Sequence, residues 1–251
     1  IDWKRLYPAD VMYVKLPTYP WQRETHWNED EESITDRIGS PLHPLLDRRL
    51  SGPKPAWQGA INQQFLPYLN DHRVDELVVM PGAAYVEAGL AAFNQATGDT
   101  ACAIEQLNFH QALILSGNES EPFTHVGYDP ENGQYAFHSH YQDTSLDWTL
   151  HASAKILPMV SESKTIAHQD ILQRCSEKVD VAELYAELNE RGLSYGPYFQ
   201  TIQQLQRGHN EVLAQIQLHT GLLPENPGYF LHPTMLDGCF QSLIAATSEN
   251  D

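Results

Sequence analysis

Basic residues are scarce. Against 33 Asp and Glu the chain carries 15 Lys and Arg, a formal net charge of −18 over 251 residues. Neutralising phosphates supplies most of the affinity of nucleic-acid binding, so this balance argues against a nucleic-acid partner. An acidic protein partner would need a local basic patch. Asp47-Arg48-Arg49-Leu50 with the nearby Lys54 is a candidate, and an ordinary solvated turn is the other reading of the same residues. Cysteine is as sparse: Cys102, Cys175 and Cys239 are isolated, giving neither a disulfide framework nor a CxxC ligand pair, which suits a reducing compartment. No apolar run approaches the roughly eighteen residues of a membrane span. The opening IDWKRLYPAD has no signal-peptide apolar region and no initiator Met. The expectation is a cytoplasmic piece of a longer protein, off the membrane.

What is present falls into segments. KLPTYPWQRETHW and the acidic NEDEES lack helical or strand period, so residues 1–39 read as a linker. A domain is expected from about Ser40 to residue 160. In it AWQGAINQQFLPYL, CAIEQLNFHQALIL and DWTLHASAKIL show strand alternation, and FTHVGYDPENGQYAFHSHY reads as a hairpin around an Asn-Gly turn. PGAAYVEAGLAAF offers Pro81 at the first helical position and apolar residues nearly all round, a buried helix. Residues 161–177 are polar and should connect to a second unit, 178–251. There VDVAELYAELNERG predicts a helix closed by Gly192, and FQTIQQLQRGHNEVLAQIQLHT a hairpin about Gly208. HPTMLDGCFQSLIAAT puts Met235, Leu236, Cys239, Phe240, Leu243 and Ile244 at helical spacing, a second buried helix. The plan is α+β: twice, antiparallel strands wrap one apolar helix. That is a double hotdog, its second unit short of strands after the helix.

Two features carry chemistry. Asp237 and Gln241 stand at i, i+4 on the second helix, so the amide can orient the carboxyl group. A carboxylate among Met, Leu, Cys and Phe is costly unless used or paired, although a capping role for Asp237 is also open. His72 lies ahead of an apolar run that enters a helix at Pro81-Gly82. Free N–H groups at such a helix start suit a developing oxyanion, and a nearby imidazole could take a proton from the carbon next to a polarised thioester carbonyl. His138 and His140 share a strand face, but no third metal ligand accompanies them.

Three motifs in order then bring a family into view. HRVDELVVMP (His72–Pro81) has a histidine motif's spacing, YGPYF runs from Tyr195 to Phe199, and DGCFQ (Asp237–Gln241) follows HPTML. With HPLL at His43 and the KLPTYPWQRETHW linker, the chain resembles the dehydratase domains of modular polyketide synthases, themselves similar to those of animal fatty acid synthase. It departs from the family pattern at Glu76, where the motif has glycine; a glutamate there must take another backbone path or accept the same one with strain.

The resemblance implies a 3-hydroxyacyl chain on the phosphopantetheine arm of an acyl carrier protein, losing water to give the 2,3-enoyl thioester with no metal or redox cofactor. In that scheme His72 is the base and Asp237 the acid. Gln241 orients Asp237, Gly82 beside Pro81 polarises the carbonyl, and Tyr195 lines the tunnel. Implied partners are the carrier protein, neighbouring ketosynthase, acyltransferase and reductase domains, the linker's acyltransferase among them, and a second copy in a homodimer. Other expectations compatible with such a chain are a silent architectural module, a double-bond isomerase in the same pocket, or a hotdog thioesterase.

Overall fold

Alanine-rich Gly82–Thr97 forms helix α1, and Ala83, Ala84, Ala88, Ala91, Ala92 and Phe93 lose all their exposure. In this computed structural model, which describes residues 43–115, 121–141, 147–159, 168–224 and 226–246, Pro81 caps the helix in an extended conformation, φ −68° and ψ 146°. It stands one position before the first helical residue where the pattern placed it. Its fixed φ suits either place, and the missing N–H costs nothing at a helix start. The linker expected over residues 1–39 lies outside the described residues.

Strands β1 (Arg48–Arg49), β2 (Ala56–Ala60), β5 (Cys102–Phe109), β6 (Phe123–Asp129), β7 (Gln134–His140) and β8 (Thr149–Pro158) make one antiparallel sheet in the order β1-β2-β6-β7-β8-β5. Helix α1 packs on β5, β6, β7 and β8. The inward set includes Trp57, Val126, Phe137 and Ile156, all essentially buried. This is the hotdog expected of the first half, and the β6–β7 hairpin falls where alternation and the Asn-Gly turn placed it. In the basic stretch Arg48 and Arg49 are strand β1 itself: Arg48 meets Gln58, Arg49 lies 5.9 Å over the Trp57 ring, and Lys54 Nζ is 2.6 Å from Asp129.

In the second half, the stretch expected only to connect already holds helix α2 (His168–Arg174) and the start of β9 (Glu177–Val179). Asp180 caps helix α3 (Val181–Glu190), accepting from the N–H groups of Ala182 and Glu183, and Gly192 follows with φ 82°. Strands β11 (Ile202–Arg207) and β12 (Val212–Ile216) form the hairpin about Gly208, in a sheet ordered β12-β11-β9. Helix α4 (Pro233–Ile244) packs on β11, β12 and α1. One expectation is reversed here. The buried face of α4 is not the apolar stripe but Thr234, Asp237, Gly238, Gln241 and Ser242, while Phe240 and Leu243 are 37% and 59% exposed. Small residues draw that face in: a side chain on Gly238 would begin 2.1 Å from Thr201 Oγ1.

A third sheet joins the halves. Strand β3 (His72–Val74) pairs with β4 (Leu77–Val78) on one side and with β10 (Leu193–Tyr195) on the other, placing Tyr195 opposite His72. The β3–β4 turn is Asp75-Glu76, with φ 46° and 68°. Glu76 therefore keeps the left-handed path a glycine would take and bears its strain.

Candidate active site

His72 starts β3 and is buried. Its Nδ1 lies 2.8 Å from the Val79 carbonyl, which can only accept, so Nδ1 carries a hydrogen and Nε2 is the ring nitrogen turned to the site. Nε2 stands 4.0 Å from Asp237 Oδ1, across the junction of the two halves. The Phe199 and Tyr195 rings flank the imidazole at 5.2 and 5.6 Å. The YGPYF segment is held there by the residue before the histidine. Asp71 accepts from Gly196 N–H through its carbonyl (2.8 Å) and from Tyr198 N–H through its carboxylate (2.9 Å). A side chain at 196 would begin 2.4 Å from the Asp71 carboxyl carbon, so the motif's glycine is a close-approach requirement.

Asp237 is 5% exposed. Its Oδ2 accepts from Gln241 Nε2 at 2.7 Å, the i, i+4 pairing read from sequence, and the same amide nitrogen donates to Phe199 O at 3.2 Å. The capping alternative is set aside, because His232 caps α4 by accepting from Thr234 N–H. Burial raises the Asp237 carboxyl above the usual carboxylate range, against the opposing pull of His72 and of the Gln241 hydrogen bond. Burial also raises the Tyr195 phenol, assisted by the nearby Asp237 charge. The pair thus sets the imidazole Nε2 against a carboxyl group biased toward its protonated form.

Val79 N–H donates back to His72 O at 3.1 Å, so the β3–β4 hairpin returns the chain past the imidazole two residues before Pro81 and the α1 start. The Phe109 ring lies against Gly82, 3.0 Å from where a side chain would begin. His72, Asp237, Gln241 and Tyr195 are therefore brought together, and Pro81-Gly82 opens α1 on the strand that leaves the histidine. His138 and His140 sit on β7 instead. The His138 ring faces His125 across the strands, and His140 stacks beside Phe123, with Trp148 edge-on to it.

Sequence reasoning missed several supporting groups. Tyr185 on α3 donates to Gln241 Oε1 at 3.0 Å. Glu87, fully buried on α1, accepts from Phe230 N–H (2.7 Å), Leu231 N–H (2.9 Å) and His43 Nε2 (3.0 Å), tying α1 to the segment that leads into α4. A glutamate inside an alanine helix was as visible a signal as Asp237. Nothing local marked Tyr185, whose partner lies 56 residues away.

Known proteins resemble the chain along most of its length. The family model for the polyketide synthase dehydratase domain matches residues 43–142, and that for the polyketide synthase dehydratase N-terminal domain matches 163–251. A mycocerosic acid synthase-like polyketide synthase from Mycolicibacterium smegmatis is 30% identical over 98% of this chain, which spans only 12% of that relative's length. Among solved structures, an inactive His-to-Phe variant of the CurJ dehydratase, in complex with a compound, is 34% identical with a TM-score of 0.73, covering 82% of this chain and 73% of that one. An inactive Asp-to-Asn variant of the CurK dehydratase is 26% identical with a TM-score of 0.73, covering 81% and 74%.

Proposed function

This chain belongs to the polyketide synthase dehydratase family, and on that premise we propose that His72 and Asp237 together eliminate water from a 3-hydroxyacyl thioester carried by the phosphopantetheine arm of an acyl carrier protein. The observation that carries the reading is the opposition of Nε2 and Oδ1 at 4.0 Å, with each group's other polar atom engaged by the protein. The residue types changed in the two relatives called inactive, a histidine and an aspartate, are the types opposed here.

In this mechanism Nε2 takes the proton from the carbon next to the thioester carbonyl. That C–H electron pair becomes the new C=C bond as the C–O bond at the next carbon breaks. Asp237 Oδ1 gives its proton to the departing hydroxyl, which leaves as water. Return of the proton from His72 to Asp237 restores both groups. Gly82 N–H, at the positive end of α1, polarises the carbonyl, and Tyr195 lines the path near the hydroxyl. These side chains do the chemistry without a metal or redox cofactor. The matched relative is far longer than this chain, in keeping with a domain among other synthase domains. The carrier protein, a homodimer and a cytoplasmic setting complete the reading. No helix among the described residues is long and apolar enough to cross a membrane.

Incubation with a 3-hydroxyacyl thioester, followed by mass spectrometry, tests it. With the native protein the thioester should lose one water. Asp237→Asn should fold normally and turn over about 10²–10⁴-fold more slowly, the range general acid catalysis supplies. Wild-type rates in a folded Asp237→Asn protein would remove Asp237 from its role.

A further inference from the structure

Gln241 is more constrained than a simple i, i+4 partner. Its Nε2 lies between two acceptors, Phe199 O at 3.2 Å and Asp237 Oδ2 at 2.7 Å, while its Oε1 faces the Tyr185 hydroxyl at 3.0 Å. The Tyr185 oxygen in turn accepts from Ile202 N–H at 3.4 Å, which leaves the phenolic hydrogen for Gln241, since its other neighbour, Phe199 O, is farther at 3.5 Å. Turning the amide over would set Oε1 against the Phe199 carbonyl and two N–H groups against the phenol. The relay therefore runs one way: Ile202 N–H to Tyr185, Tyr185 O–H to Gln241, Gln241 N–H to Asp237 Oδ2.

The geometry points to Tyr185 as a positioning residue for the acid: its hydroxyl locks the Gln241 amide so that Asp237 carries its proton on Oδ1, the oxygen facing His72, and not on Oδ2. The inference rests on reading Asp237 as the acid of a dehydratase. An Oδ2 already accepting an N–H is the poorer place for a proton, and a flipped amide would accept that proton through Oε1 and hold it away from the substrate. Donation by the phenol also polarises the amide and strengthens its N–H, which favours the carboxylate and makes Asp237 a readier proton donor. The titratable groups facing Asp237 are His72 from β3, Tyr185 from α3, Tyr195 from β10 and Cys239 from its own helix. Removing the phenolic oxygen alters one link of that set.

The test is a ¹³C-carboxyl NMR titration of the full chain, with the Asp237 resonance identified by its loss in Asp237→Asn. In Tyr185→Phe the Asp237 midpoint should rise by about half a pH unit or more, as expected for a weakened hydrogen bond to the charged form. Turnover should drop about tenfold with KM changed less than twofold, a loss confined to the transition state. Replacing Tyr185 with 3-fluorotyrosine keeps the ring in place and strengthens the donor. It should move the midpoint down, and it carries the test if the phenylalanine variant misfolds. Unmoved midpoints in both variants would overturn the inference. The titration needs no turnover, so the two readings fail separately. A wild-type chain that makes no enoyl product while the midpoints still shift would sink the dehydratase reading and leave the relay standing.

Discussion

Burial raises the Asp237 carboxyl, and the same burial costs the folded state something that pH exposes. Between the ordinary carboxyl value and the raised one, the native chain keeps a proton that the unfolded chain has lost. Stability therefore falls as pH rises through that window and stays lowered above it. Asparagine has the same shape and no charge to bury. Asp237→Asn should melt above the wild-type protein at about pH 8, and the difference should close as the pH is lowered below about 3, where the folded and unfolded wild type are both protonated. Melting temperatures across that range check this; a variant no more stable at any pH would contradict it. His232 presents the opposite case, a buried imidazole pushed down to about 4 by desolvation and serving as a neutral cap. Asp237 could be found from sequence because a carboxylate stood out on an apolar helix, and His72 because it preceded a helix start. Glu87 carried an equal signal, but its meaning depends on Phe230 and Leu231 N–H groups that only the fold brings to it.

Turns and helix faces tell a mixed story. The Asp75-Glu76 turn between β3 and β4 needs a positive φ at both residues, and Glu76 takes 68° without a glycine's freedom. Glu76→Gly should stabilise the chain by about 1 kcal/mol in urea denaturation, the usual cost of a left-handed non-glycine residue, and leave activity unchanged. A neutral or destabilising outcome would mean that the turn is not strained. The β6–β7 hairpin and helices α1, α3 and α4 were legible, since period and turn chemistry are local properties. The facing of α4 was not. Its apolar stripe suggested one buried side, whereas close packing of Gly238 on Thr201 and the burial of Asp237 and Gln241 select the other. Periodicity ranks faces by hydrophobicity alone, and this helix buries a carboxyl group and an amide in place of its apolar stripe.

At the scale of the molecule the site exists only where two hotdog halves meet. His72 belongs to the first and Asp237 to the second. Their separation is set by three long-range devices: the β3–β10 pairing, the Asp71 grip on Gly196 and Tyr198, and the Glu87 clasp on the approach to α4. The two-unit plan could be read from the recurrence of strands and helix along the chain. The clasp could not, because His43, Glu87 and Phe230 are distant in sequence and only the third dimension relates them. In the proposed elimination His72 Nε2 is the base. The most direct measurement follows α-proton exchange of a 3-hydroxyacyl thioester in deuterated water by mass spectrometry, with the wild-type chain and His72→Ala side by side. Deuterium is expected at the α-carbon with wild type and none above background with His72→Ala. Exchange that persists in the folded alanine variant would contradict it and assign the proton to another group.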